Sequence, residues 1–187
     1  MSSLGERLRT SWSARGVKLP TGVPAGRLEE FESRYAVRLP DDLRGYFLAI
    51  DGMGPEDLNP PFGWDDDLFR FFPLHQVEPA TERFHPDLFL ADQASYFAFA
   101  GHSISLPTFA IRLTPEVTSG NFVLAIFSDR GEYRVGQAAS SFSDFVERYL
   151  TSSVSRLGLI PSEPGKRLVS SPRADLSHPL WDRALDG

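Results

Sequence analysis

The sequence predicts an α+β protein, from the order of its elements and from its composition. Amphipathic helical patterns fill residues 3–52, strand patterns begin at residue 68, and one more helical pattern ends near residue 150. A doubly wound sheet would alternate strands and helices along the chain, so this grouping favours an α+β fold. The chain has 187 residues, 41% of them apolar, which is enough for one well-buried core.

Two amphipathic helices are predicted at the N-terminus. Residues 3–15 form the first, where Ser3 and Glu6 have the spacing of a capping box. Its apolar face repeats every four residues, at Leu4, Leu8 and Trp12. The second begins near Pro24, because proline suits the first turn of a helix. Its apolar residues at helical spacing are Leu28, Phe31 and Tyr35.

A third helix follows a Leu-Pro turn. Pro40 cannot continue the second helix, and Asp41 and Asp42 are expected to accept the free N–H groups of the new one. Gly52 is expected to provide a left-handed stop. The apolar face repeats at i, i+3, i+4 and i+7, at Leu43, Tyr46, Phe47 and Ile50.

Strands and a last helix follow. Residues 68–72 predict a strand, residues 108–113 a half-buried strand, and residues 122–127 a central strand that is apolar on both faces. A turn leads from that strand to a partner over residues 132–135, and a helix spans residues 143–150. The residues predicted to share one core are Leu43, Phe47, Ile50, Val123, Ala125, Phe142 and Phe145.

The residue types argue against enzyme, cofactor and metal chemistry. Cysteine is absent, and the two lysines, Lys18 and Lys166, lie in no phosphate-binding motif. The four histidines have no metal-ligand spacing, and no serine sits in a nucleophile elbow. No stretch approaches the ~20 apolar residues of a membrane span, and the N-terminus has no apolar signal-peptide core. The sequence therefore predicts a cytoplasmic, non-enzymatic protein without a cofactor.

Negative charge is concentrated in one part of the chain. The net charge is −6, yet residues 41–67 alone hold eight carboxylates against one base, Arg44. The rest of the chain is thus close to neutral. This distribution argues against nucleic-acid binding, which needs clustered Lys and Arg, and it favours a basic partner, a cation or simple solubility.

The acidic loop from residue 51 to residue 67 is the candidate partner-binding site. Its predicted contact residues are Asp51, Glu56, Asp57, Phe62, Trp64, Asp65, Asp66 and Asp67. The acids would meet a basic surface, and the two aromatic residues would serve as anchors. The alternatives are a solvated loop and a Trp64 that belongs to the core. A calcium loop starting at Asp65 is disfavoured, because Phe69 and Arg70 occupy positions that need an oxygen ligand and a glycine.

This chain resembles the SUKH superfamily, which includes the yeast regulator of cell-wall synthesis and many bacterial immunity proteins. The resemblance covers roughly residues 23–150, and in the family Asn-Gly is more common where this chain has Asp51-Gly52. The residues that carry it are Phe31 and Tyr35, Leu39-Pro40-Asp41-Asp42-Leu43, Tyr46-Phe47-Leu48 and Asp51-Gly52, with looser matches at Leu68-Phe69, Leu90-Ala91-Asp92 and Ser141-Phe142-Ser143-Asp144-Phe145.

The resemblance implies a single domain with one mixed, mostly antiparallel sheet flanked by helices. It divides the chain into an N-terminal helical extension (1–20), a SUKH-like domain (21–157) and a Pro/Ser-rich tail (158–187). It also implies a protein-binding module, since SUKH immunity proteins bind and neutralise toxin domains, often nucleases. It carries over no catalytic residue and no defined interface. The alternative is an intracellular regulatory or scaffold protein of the same fold with no toxin partner.

Overall fold

The computed structural model describes residues 3–53, 65, 69–84, 95–102, 107–116, 121–129 and 132–151. The helices are α1 (Leu4–Ala14), α2 (Ala25–Tyr35), α3 (Asp41–Ala49), α4 (Ala80–Arg83) and α5 (Phe142–Thr151). The strands are β1 (Phe69–Phe71), β2 (Glu78–Pro79), β3 (Tyr96–His102), β4 (Thr108–Arg112), β5 (Val123–Asp129) and β6 (Glu132–Ala139). No helix within these ranges is long and apolar enough to span a membrane.

The described strands form one open sheet in the order β1-β3-β4-β5-β6, with β2 beside β1 along the same edge of β3. Every pairing between these strands is antiparallel. The α+β prediction and the prediction of a mostly antiparallel sheet flanked by helices are therefore confirmed.

An aromatic core joins the sheet to α1, α2, α3 and α5. The ring of Phe145 in α5 lies 4.8 Å from Phe109 and 5.2 Å from Phe99, centroid to centroid. Trp12 of α1 lies 5.1 Å from Phe71 of β1, so the predicted N-terminal extension packs into the same core as the family-like region. All seven residues predicted for the core are at most 1% exposed.

A second, smaller cluster lies on the opposite face of the sheet. Along β5, Val123 and Ala125 belong to the main core, whereas Leu124 and Ile126 belong to this cluster. Residues that alternate along a strand point to opposite faces, so this strand is buried on both sides as predicted. Ala110 of β4 is also buried in this cluster, so the strand predicted to be half-buried is covered on both faces at that position.

Glu32 fixes the turn between α2 and α3. The turn begins with Ala36 in the left-handed conformation at φ 50°. The buried Glu32 carboxylate accepts hydrogen bonds from the Leu39 backbone N–H at 2.7 Å and from Arg44 of α3 at 2.5 Å. A side chain of α2 thus holds both the Leu-Pro turn and the next helix.

The first turn of α3 differs in detail from its prediction. Pro40 is the N-cap residue, no side chain caps the helix, and Asp41 is exposed. Asp42 accepts a bond from the N–H of Leu43 at 2.8 Å, but its other oxygen accepts the N–H and the hydroxyl of Ser143, both at 2.8 Å. Asp42 therefore caps α5 more than it caps its own helix.

The end of α3 also differs from its prediction. The helix ends at Ala49 and Ile50 is extended, so Gly52 is not the residue that stops it. Gly52 does take the predicted left-handed conformation, at φ 63°.

Candidate partner-binding site

Both ends of the acidic loop are fixed at the start of the sheet. At its beginning, the Met53 N–H donates to the Phe71 carbonyl at 3.0 Å, and Asp51 accepts the Leu74 N–H at 2.6 Å. At its end, the Asp65 N–H donates to the Phe69 carbonyl at 2.9 Å. Residues at both ends of the loop are therefore hydrogen-bonded to β1. The predicted contact residues outside the described part of the chain are Glu56, Asp57, Phe62, Trp64, Asp66 and Asp67.

Asp65 is not an exposed contact residue as predicted, because its side chain is buried. It is 4% exposed and accepts hydrogen bonds from the Phe69 N–H at 2.8 Å and from the Tyr149 hydroxyl at 2.5 Å. An Arg15 guanidinium nitrogen lies 3.6 Å from the oxygen that Tyr149 contacts. A buried carboxylate is stable only when it is paired and hydrogen-bonded, and these donors meet that need.

The network around Asp65 continues into α1. Trp12 donates its indole N–H to the Tyr149 hydroxyl at 2.7 Å, so that hydroxyl accepts from one buried group and donates to another. Burial, followed by the charge and the hydrogen bond of Asp65, raises the pKa of Tyr149 far above its usual value. The phenol thus remains a hydrogen-bond donor to the carboxylate across the ordinary pH range.

Asp51 lies at a cleft between α2 and the residues that follow β1. We call it the α2 cleft; its volume is about 270 Å³. The charged side chains in its lining are Asp51, Arg27, Glu30 and Arg34, and apolar lining is provided by Phe31 and Val77. Burial, and next the negative charge of Asp51, raise the pKa of the nearby Tyr46 hydroxyl well above its usual value.

Sequence reasoning missed the contributions of α1 and α5 to this region. Arg15, Trp12 and Tyr149 are far from Asp65 in the sequence. Trp12 and Tyr149 each carry a local signal, a place on an apolar helix face, but that signal does not pair either of them with Asp65. Within the described ranges, no group of three or more His, Cys, Asp or Glu side chains is placed to hold a metal ion.

Comparison with known proteins assigns the chain to a family. No curated protein and no solved structure gives a significant match. A sequence model of the SMI1 / KNR4 family (SUKH-1) matches residues 22–148, well over half of the chain. The matched region spans α2, the Glu32-anchored turn, α3, the sheet and most of α5. The chain therefore belongs to the SMI1 / KNR4 family (SUKH-1).

Proposed function

We propose that this protein is a cytoplasmic, non-enzymatic binding module that neutralises a toxin domain through its acidic loop. Membership of the family supports this, because the resemblance to SUKH immunity proteins implies a protein partner. The observation that carries the proposal is the charge distribution: eight carboxylates and one base fall within residues 41–67, while the remainder of the chain is close to neutral.

The acidic loop suits a basic toxin for electrostatic reasons. Like charges held close together repel one another unless they stay in water or face a basic surface. Nuclease toxins are a natural class of partner, because a protein that binds nucleic acid carries clustered Lys and Arg. With Asp65 buried, the carboxylates left for the partner are Asp51, Glu56, Asp57, Asp66 and Asp67.

The test is to express the chain together with the toxin-like product of a neighbouring gene and to measure protection and binding. Changing Asp66 and Asp67 to Asn should slow association several-fold at low salt, because surface charges mainly steer encounter. The difference should shrink above about 0.5 M salt, where screening is strong. Changing Glu29 and Glu82 to Gln removes the same charge from exposed positions outside the loop and is the matched control.

Equal association rates for the loop variant and the control would contradict the acidic interface. A chain that neither binds nor protects against any neighbouring toxin would contradict the immunity role. That outcome would favour the alternative, a regulatory or scaffold protein of the same fold.

A further inference from the structure

Asp51 places a half-buried carboxylate in the α2 cleft. One of its oxygens accepts the Leu74 N–H at 2.6 Å, and its other oxygen has no hydrogen-bond partner in the described part of the chain. The neighbouring backbone is closely packed, since a Cβ built on Gly52 would lie 2.5 Å from the Pro73 nitrogen. A ligand that donates hydrogen bonds would therefore meet an acceptor that is already in place.

The Tyr35 ring lines the α2 cleft and has a guanidinium over its face. Tyr35 packs at 5.0 Å from Phe31 and at 5.2 Å from Phe97, centroid to centroid. The guanidinium of Arg34 lies 5.1 Å from the centroid of the Tyr35 ring, which is a cation–π distance. No carboxylate in the described ranges is within ion-pair distance of Arg34, and the contact of its guanidinium there is the Tyr35 ring. The chain's own arginine marks where a cation can sit.

We propose that the α2 cleft takes one arginine side chain of the basic partner, with its guanidinium on Asp51 and its aliphatic stem along Phe31 and Val77. That the arginine belongs to a toxin rests on the function proposed above. That the ligand is an arginine side chain rests on the residues that line the cleft. Its volume of about 270 Å³ is below the range of about 300–1,000 Å³ that is usual for small-molecule sites, and it suits a single side chain. The incoming guanidinium displaces that of Arg34 from the Tyr35 ring.

The remaining charges in the lining leave Asp51 as the group that a cation meets. Arg27 is ion-paired with Glu30 at 3.1 Å, so this pair is neutral. Arg34 is exposed on α2, whereas Asp51 is half-buried and one of its oxygens accepts the Leu74 N–H. An anion bound by Arg34 is the opposing model, and it predicts effects of opposite sign for the two variants below.

The test uses single-residue probes and therefore needs no toxin. N-acetyl-arginine amide is titrated into the full chain, with N-acetyl-citrulline amide as the neutral isostere and N-acetyl-glutamate amide as the anion. Binding is followed by the NMR signals of Tyr35 and Val77. We expect the arginine probe to shift these signals and to bind at least several-fold more tightly than the citrulline probe, because a charged hydrogen bond is lost in the latter.

Two variants test whether the cleft binds a cation or an anion, because they should change the affinity of the arginine probe in opposite directions. Asp51→Asn keeps the oxygen that accepts the Leu74 N–H and should weaken the arginine probe about tenfold. Arg34→Gln removes the competing cation and should tighten that probe. Glu29→Gln, an exposed change that does not line this cleft, is the matched control and should have no effect.

Absence of shifts with the arginine probe, an unchanged affinity in Asp51→Asn, or tighter binding of the glutamate probe would each overturn the proposal. Because these titrations do not involve the toxin, a negative result with the arginine probe does not affect the test of toxin binding. Failure to find a toxin partner likewise does not affect the test of the cleft.

Discussion

Removing the hydroxyl of Tyr149 should destabilise the protein strongly. In Tyr149→Phe the ring stays in the core, but Asp65 loses its 2.5 Å hydrogen bond and the Trp12 indole N–H loses its acceptor. A buried polar group left without its partner costs about 1–3 kcal/mol, and more when it is charged. The Phe69 N–H and Arg15 still face Asp65, which limits the loss. We expect the free energy of unfolding to fall by about 2–4 kcal/mol.

Urea denaturation of the wild type and the variant measures this loss. The midpoint should fall while the slope with urea stays the same, because the surface exposed on unfolding does not change. Tyr35→Phe is the control: its hydroxyl makes no hydrogen bond within the described ranges and its side chain is half-buried, so its loss should stay below about 0.5 kcal/mol.

A double-mutant cycle then tests the assignment to Asp65. The effects of Tyr149→Phe and Asp65→Asn should be strongly non-additive, with a coupling of about 1–3 kcal/mol, because the two groups share one hydrogen bond. Additive effects, or a Tyr149→Phe variant as stable as the control, would refute the reasoning that this bond anchors the end of the acidic loop.

Three further predictions concern stability. The raised pKa values of Tyr46 and Tyr149 keep both phenols protonated in the folded state above pH ~10, where the same phenols lose their protons in the unfolded chain. The free energy of unfolding should therefore fall by up to about 1.4 kcal/mol per pH unit for each tyrosine. Urea denaturation at a series of pH values should show a shallower fall in Tyr149→Phe. Glu32→Ala removes the acceptor of the Leu39 N–H and should cost about 2–4 kcal/mol in urea denaturation, whereas Glu32→Gln should cost clearly less. Gly52→Ala should lower the melting temperature by several degrees, because φ is 63° and the new Cβ would collide with backbone; an unchanged melting temperature would contradict this.

The helices of the core could be predicted because their signals are local. In α3, Leu43, Tyr46 and Phe47 follow the 3.6-residue period, and all three are at most 1% exposed. Strand β3 has no such signal. Its residues are apolar on both faces, so no alternation separates it from a buried helix, and the sequence pattern predicts no bounds for it. Strand β6 continues to Ala139, beyond its predicted end at residue 135, because small residues there carry no strand pattern.

The position of the acidic loop was predictable only in part. The concentration of acid is visible in the sequence, but the burial of Asp65 depends on Tyr149, which lies 84 residues further along the chain. It depends also on Arg15, in a region that the family resemblance does not cover. Pairings over such distances leave no period or spacing in the sequence, since they are created by the packing of α1 and α5 on β1.

Two of the eight clustered carboxylates stabilise the fold, and this changes what the acidic loop can offer a partner. Asp42 accepts two bonds from Ser143 at the start of α5, and Asp65 accepts bonds from β1 and from α5. A carboxylate with several internal donors faces the protein, so it adds little to the field that steers a basic surface. Substitutions at these two positions would weaken binding by destabilising the fold, and that loss of binding would not depend on the salt concentration. Only a salt-dependent loss, as expected for Asp66 and Asp67, identifies a carboxylate that meets the partner directly.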